Sequence, residues 1–312
     1  MSRSLKAHLL LAFITLIWGS TFVLIKAALR DCSPLVLNAV RMFLAGGLLA
    51  AYYRKNLRHV SRPALISGCG VGLCLYLGYA FQTTGLRLTT PSKSAFLTGV
   101  STVLVPVIMF ALWRTHLRLW RAVGICLALM GLFLMTVPGG PQSIADFARV
   151  NRGDVLTFAG AVAFAFQIVF LGRAMQRFPF QQIAVLQVAA AAVLTAVSAP
   201  FLEQPHFTAT PLVVVCVLIT AIFGTAFAFT VQSWAQQFTP ESHTALIFTL
   251  EPVFAWLTSF LVLNERLGLR AGGGAMLILA GVLVSELLGQ VRQQEPDAAG
   301  HQREAAVRDN VR

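Results

Sequence analysis

A succession of long apolar stretches, almost free of charged residues, is the feature that most constrains how this chain can fold. A helix needs roughly 20 apolar residues to cross the hydrocarbon core of a bilayer, where its backbone groups must all be paired internally. Stretches that meet this requirement lie near residues 8–29, 34–53, 64–86, 94–113, 121–138, 154–173, 180–202, 210–235, 242–263 and 270–289. The pattern predicts an all-α polytopic membrane protein with ten transmembrane helices.

The composition supports the same fold class. The chain is 57% hydrophobic and 12% charged, whereas soluble domains carry about 25% charged residues. The net charge of +12 would suggest nucleic acid as a partner of a soluble protein. Here the basic residues form short clusters between apolar stretches, so we expect no nucleic-acid partner. The five cysteines show no metal-type or redox-type spacing, and we expect no metal and no cofactor.

The distribution of basic residues predicts the orientation in the membrane, because loops on the cytoplasmic side carry more lysine and arginine. If the N-terminus is inside, the inner side receives Arg3, Lys6, Arg54, Lys55, Arg58, Arg62, Arg114, Arg118, Arg121, Arg173 and Arg177. The outer side then receives Arg30, Arg87, Lys93, Arg149, Arg152, Arg266 and Arg270. We therefore expect both termini in the cytoplasm, with a disordered cytoplasmic tail over residues 291–312.

An internal repeat is indicated by motifs that recur at the same spacing to within one residue. They pair Thr90-Pro91 with Thr239-Pro240, Gly124 with Gly274, and Gly131 with Gly281. The repeat divides the chain into halves of five helices each, residues 1–152 and 153–290. Because five is odd, the second half must enter the membrane from the opposite side, and inverted repeats are typical of secondary transporters with a substrate site near the midplane.

Glu251 is the charged residue that most needs an explanation, since no other charge occurs between Thr244 and Leu263. A carboxyl group near the bilayer centre is costly and usually functional. Pro252 removes a backbone donor and opens the helix there. Glu251 could bind a proton or a substrate amine, or it could be a protonated acid that caps the open backbone. Pro106 is the corresponding interior proline of the first half, and we expect a helix break at both prolines.

Two cations also lie within apolar stretches. Lys26 shares a helix face with Gly19 and Phe22, close to Trp18 and Thr21. This face could line a cavity, or Gly19 could serve helix packing while Lys26 extends to the interface. Arg41 could bind an anionic substrate group or pair with an acid, because its guanidinium stays charged.

Polar and aromatic residues form strips on two further predicted helices. Tyr79 and Gln82 lie on the third, and Gln232 lies on the eighth. Amide groups opposite aromatic rings suit an amphipathic organic ligand. The alternative for each ring is packing in the core of the bundle.

These motifs resemble the drug/metabolite transporter superfamily, EamA type. The resemblance rests on Ile17-Trp18-Gly19-Ser20-Thr21-Phe22 with Lys26, on Arg41-Met42-Phe43, and on Leu250-Glu251-Pro252-Val253-Phe254 leading to Asn264-Glu265-Arg266-Leu267. It implies ten helices, a central cavity and small-molecule translocation, often export of metabolites or amino acids from bacteria. The first half departs from the pattern, because Leu104-Val105-Pro106 and Arg114-Thr115-His116 replace the acidic motifs.

The sequence therefore predicts a secondary transporter that moves a small organic metabolite, an amino acid or similar, across the bacterial inner membrane by alternating access, with export as the expected direction. The predicted substrate-binding residues are Trp18, Thr21, Lys26, Arg41, Tyr79, Gln82, Gln232 and Glu251. The expected partners are the lipid bilayer and the metabolite, with protons and a second copy of the chain as further candidates. The alternative is a non-transporting membrane sensor or assembly protein. An enzyme is not expected, because no HExxH or GxSxG motif is present.

Overall fold

The computed structural model describes residues 2–89, 91–115, 119–136, 149–263 and 269–291. Within these ranges the chain is helical, and one isolated bridge between Cys32 and Phe207 is the only β-type pairing. The helices are α1 Arg3–Ala28, α2 Pro34–Tyr52, α3 Arg62–Leu88, α4 Pro91–Gly99, α5 Ser101–Trp113, α6 Leu119–Thr136, α7 Arg152–Met175, α8 Phe180–Leu202, α9 Pro211–Ala221, α10 Ala228–Ala235, α11 Glu241–Phe248, α12 Glu251–Leu263 and α13 Leu269–Val291. A π-helical segment, Ile222–Phe227, joins α9 to α10.

Seven apolar helical segments of the described residues are long enough to cross a membrane. They are Arg3–Ala28, Pro34–Tyr52, Arg62–Leu88, Ser94–Trp113, Arg152–Met175, Phe180–Leu202 and Pro211–Ala235. This confirms the prediction of an all-α polytopic membrane protein. Leu119–Leu134 and Gly272–Ser285 are shorter apolar helices, and the stretch predicted at 242–263 consists of α11 and α12. The count of ten crossings therefore stays a prediction. The predicted tail lies almost wholly outside the described residues.

Local sequence explains where several helices begin. The Ser61 hydroxyl accepts a hydrogen bond from the Ala64 amide at the start of α3, and Thr210 caps α9 in the same way. Asn151 and Asp154 form a capping box at the start of α7. At α2 the cap comes from a distant residue, because the Glu203 carboxylate accepts hydrogen bonds from the Leu35 and Val36 amides at 3.0 and 3.1 Å.

Glycines bring α6 and α13 into close contact. A Cβ on Gly124 would lie 2.6 Å from the Gly281 carbonyl oxygen, and a Cβ on Gly131 would lie 2.4 Å from that of Gly274. The later residue of α6 contacts the earlier residue of α13, so the two helices are antiparallel. Only residues without a side chain allow two backbones to approach this closely.

Two helix breaks occur at corresponding places in the two halves of the chain. Val100, between α4 and α5, lies nine residues after Pro91, and Thr249, between α11 and α12, lies nine residues after Pro240. The amides of Val100 and Thr249 each bond to the carbonyl three residues earlier, which tightens the chain at both breaks. The second break directly precedes Glu251-Pro252.

The first break lies away from the proline that was expected to cause it. Pro106 is inside α5, and the helix continues through it to Trp113. A proline conflicts mainly with the carbonyl four residues earlier, here that of Thr102. Thr102 belongs to the first turn of α5. Because the helix is interrupted just before this turn, at Val100, the Thr102 carbonyl can move aside and the helix continues through Pro106.

Candidate functional site

The central cavity lies where the two halves of the chain meet, and it has a volume of about 80 Å³. A site of this size can hold several water molecules. It is lined by Trp18, Thr21, Phe22, Ile25, Arg41, Tyr79, Gln82, Ala95, Thr98, Gly99, Ser101, Phe164, Gln167, Ile168, Thr220, Gly224, Phe229, Gln232, Phe248, Glu251 and Pro252. Residues that flank both helix breaks line the cavity, namely Gly99, Ser101, Phe248 and Glu251, and so does Gly224 of the π-helical segment.

Seven of the eight predicted substrate-binding residues line this cavity. They come from five separate parts of the fold, namely α1, α2, α3, α10 and the start of α12. The eighth, Lys26, does not line it, and neither does Pro106. The fold thus brings most of the predicted set together, while their role in binding stays a prediction.

Glu251 is held at the cavity wall by the contact between α12 and α1. A Cβ on Gly19 would lie 2.5 Å from the Glu251 carbonyl oxygen and 2.9 Å from the Ala255 amide nitrogen. The helix therefore starts directly against the backbone of α1, and Pro252 leaves no amide proton at its second residue. The position of Glu251 therefore depends on the close backbone contact between α12 and Gly19 of α1.

Trp18 links the first half of the chain to the π-helical segment of the second. Its indole Nε1 donates a hydrogen bond to the Gly224 carbonyl at 2.8 Å. Its ring packs against Phe229 and Phe248, with centroid distances of 5.7 and 5.0 Å. The π-helical segment was not predicted, although π-helical turns are frequent at functional sites.

Arg41 is a buried cation, with only 3% of its surface exposed. Its guanidinium carbon lies 4.0 Å from the centre of the Tyr79 ring, and its Nε has no hydrogen-bond partner among the described residues. Asn38, one turn away on α2, donates hydrogen bonds to the Tyr79 carbonyl and to the Thr83 hydroxyl. Asn38 therefore holds α3 in place beneath the guanidinium.

A cluster of amides forms one side of the cavity. Gln167 and Gln232 exchange hydrogen bonds of 3.4 and 3.2 Å, and Gln167 also donates to the Gln187 amide oxygen at 3.0 Å. The Gln187 amide nitrogen in turn donates a hydrogen bond to the Ser233 hydroxyl. Sequence reasoning missed Gln167 and the neighbouring Phe164. An amide within the apolar stretch 154–173 was the signal that could have identified Gln167.

Lys26 has a different environment from the other predicted residues. Its ammonium group donates hydrogen bonds to the carbonyls of Leu86, Arg87 and Thr89 at the end of α3. A cation is favourable at this position, because the last carbonyls of a helix lack partners within the helix. In this conformation Lys26 closes a helix end and does not face the cavity.

The cavity therefore combines an acid, a cation, several amides and a set of aromatic rings within one apolar bundle. The chemistry of this lining complements a small molecule that carries both charges and some apolar surface, which needs more space than the 80 Å³ of this conformation. No group of three histidine, cysteine or acidic residues able to hold a metal was found among the described residues.

Comparison with known proteins gives a consistent family assignment. The model of the EamA-like transporter family matches residues 5–137 and again residues 151–287. An uncharacterized transporter of Archaeoglobus fulgidus is 33% identical over 285 residues, which cover 91% of this chain and 87% of the relative. A probable amino-acid metabolite efflux pump of Salmonella typhimurium is 26% identical over 307 residues, which cover 94% of this chain and 98% of the relative.

The fold is also similar to that of a solved crystal structure. The two chains superpose with a TM-score of 0.73 at 19% sequence identity, over 93% of this chain and 99% of the other. At this identity the similarity concerns the fold alone.

Proposed function

Because this chain belongs to the EamA-like transporter family, we propose that it exports a small organic metabolite, an amino acid or similar compound, across the bacterial inner membrane by alternating access. The observation that carries the proposal is the central cavity between the halves, which contains both Glu251 and the buried Arg41. The Salmonella relative named as an amino-acid metabolite efflux pump supports the substrate class and the direction.

Recognition of the substrate uses the two charges of the cavity. Arg41 binds the carboxylate, since its guanidinium carbon is held 4.0 Å from the centre of the Tyr79 ring and its Nε has no hydrogen-bond partner among the described residues. Glu251 binds the amine. The aromatic rings around Trp18 contact the apolar part of the substrate. Thr21, Gln82 and Gln232 complete the polar contacts.

Protons are the proposed coupling ion, and Glu251 is the proposed proton site. No hydrogen bond or ion pair of its carboxylate occurs among the described residues, so a proton or a substrate amine can compensate its charge in turn. Arg41 and Tyr79 line the same cavity and influence that exchange. A carboxylate that binds either species, but not both, would couple their movements in opposite directions.

The proposed mechanism uses two inverted repeats of five helices, residues 1–152 and 153–290. Three observations support it: the double match of the family model, the equivalent breaks at Val100 and Thr249, and the reciprocal glycine contacts between α6 and α13. Movement of one repeat against the other would expose the cavity to each side alternately. Both termini are proposed to lie in the cytoplasm.

Transport in proteoliposomes tests this function. The purified protein is reconstituted, and the movement of a panel of radiolabelled amino acids and related metabolites is measured at several pH values. We expect movement of at least one zwitterionic compound. The Glu251→Gln variant should be at least roughly tenfold slower and should lose most of its pH dependence, because it cannot exchange a proton.

The matched control is Glu241→Gln, which changes an acid at the start of α11 outside the cavity. It should retain both the rate and its pH dependence. If Glu251→Gln also retains both, proton coupling at Glu251 is wrong. If no compound of the panel moves, the result favours the alternative of a membrane sensor or assembly protein.

A further inference from the structure

A second cavity, separate from the central one, opens beside the last turn of α7. Its volume is about 340 Å³, and its lining includes Gly70, Trp113, Phe170, Arg173 and Arg177. The helix α7 packs against both α3 and α5, so the cavity is a groove with α7 at its floor and the other two helices at its sides. We call it the α7 groove.

Two cations in the α7 groove have no acidic partner. Neither the Arg173 nor the Arg177 guanidinium forms an ion pair or hydrogen bond among the described residues. Glu241 lies against Gly172, on an adjacent face of α7, but it pairs with neither arginine. The α7 groove therefore presents net positive charge at the end of a membrane helix.

The position of Arg173 is set by Trp113. Its guanidinium carbon lies 4.2 Å from the centre of the Trp113 ring, an arrangement in which the cation is attracted to the face of the ring. This contact fixes the position of the guanidinium carbon, and none of its N–H groups donates to an acceptor among the described residues. A guanidinium with free N–H donors can bind two phosphate oxygens at once.

Apolar surface continues from the charged end along both sides. Leu73 of α3 is exposed one turn beyond Gly70, and Phe110 of α5 is exposed one turn before Trp113. On the α3 side, a Cβ placed on Gly70 would meet no atom within 4 Å, so the wall is recessed there. An occupant that complements the whole surface needs an anionic head and an apolar body.

We propose that the α7 groove binds an anionic phospholipid, whose phosphate contacts Arg173 and Arg177 and whose acyl chains lie against α3 and α5. Trp113 ends α5 and Arg173 is in the last turn of α7, levels at which interfacial tryptophans and arginines meet lipid headgroups. Free phosphate would use the arginines but not the apolar sides. The site is independent of the central cavity and of what that cavity transports.

Native mass spectrometry of the full-length protein, released from detergent, tests the proposal. The probes are phosphatidylglycerol, phosphatidylcholine with the same acyl chains, and inorganic phosphate alone. We expect phosphatidylglycerol to bind most tightly and inorganic phosphate to bind weakly. The double variant Arg173→Gln/Arg177→Gln should weaken the first bound phosphatidylglycerol by roughly tenfold or more, because each arginine near a headgroup contributes about fivefold.

The matched control is Arg58→Gln, an exposed arginine in the loop after α2, which should leave lipid binding unchanged. Thermal unfolding without added lipid verifies that the double variant is folded, as expected for two exposed side chains. Equal binding of the two lipids, equal loss in Arg58→Gln, or binding of inorganic phosphate as tight as that of phosphatidylglycerol would each overturn the proposal.

Discussion

At the scale of the residue, Trp18 connects parts of the chain that are 206 positions apart, through its hydrogen bond to the Gly224 carbonyl. Replacement by phenylalanine keeps a ring in contact with Phe229 and Phe248 but removes the donor. A typical intramolecular hydrogen bond contributes about 0.5–1.5 kcal/mol to stability. We therefore expect Trp18→Phe to lower the free energy of unfolding by that amount, measured by thermal unfolding in detergent.

Trp120→Phe is the control for this substitution. Trp120 lies in α6 and is 39% exposed, and its replacement should change stability by less than about 0.5 kcal/mol. Equal destabilisation by the two variants would contradict a specific contribution from the Trp18 bond.

At the scale of the element, the contact of α1 with α12 depends on Gly19. Because a Cβ there would lie 2.5 Å from a backbone oxygen, Gly19→Ala must move α12 away from α1 and displace Glu251 with it. Overpacking of this kind costs about 1–3 kcal/mol. Unfolding in detergent should show this loss, and the transport rate in proteoliposomes should fall with it.

Gly47→Ala provides a comparison of opposite sign. Gly47 lies in α2, and a Cβ placed on it would meet no atom within 4 Å. Alanine is the better helix former, so this variant should be more stable than the parent by about 0.5–1 kcal/mol. If both substitutions stabilise the protein, the close contact at Gly19 is wrong.

At the scale of the whole molecule, charge is distributed unequally between the two ends of the bundle. The loop that follows α2 contains Arg54, Lys55 and Arg58. At the opposite end, the loop between α1 and α2 contains one basic residue, Arg30. Such asymmetry favours the basic end on the cytoplasmic side.

Labelling of intact cells tests this orientation. The five native cysteines are replaced by alanine, and either Arg58→Cys or Thr208→Cys is added. A membrane-impermeant maleimide should label the Thr208→Cys protein in intact cells and the Arg58→Cys protein only after permeabilisation. The reverse pattern would place the termini outside the cytoplasm.

The fold class was predictable because membrane helices are specified by local composition. Each apolar stretch satisfies its own backbone hydrogen bonds, so its length and hydropathy suffice to predict a helix. The exact positions of the helix breaks were harder to predict from the sequence. Pro106 was the visible signal in the first half, yet the interruption lies at Val100, where valine carries no local signal for a turn.

Part of the cavity was predictable for a related reason. Glu251, Arg41 and Gln232 are polar groups in apolar stretches, and burial of such groups requires partners or a cavity. Phe164 lines the same cavity but was missed, since an aromatic residue in an apolar stretch resembles any other packing residue.

The sequence by itself determined that the chain is a helical membrane protein and which polar residues need an interior environment. Only the tertiary structure decided what each of them faces. Lys26 and Glu251 are both charges in apolar stretches, yet Lys26 reaches the carbonyls at the end of α3, about 60 positions away in the chain, whereas Glu251 lines the cavity. The physical reason is that helical periodicity places residues on a common face, while the partner of that face depends on how distant helices pack.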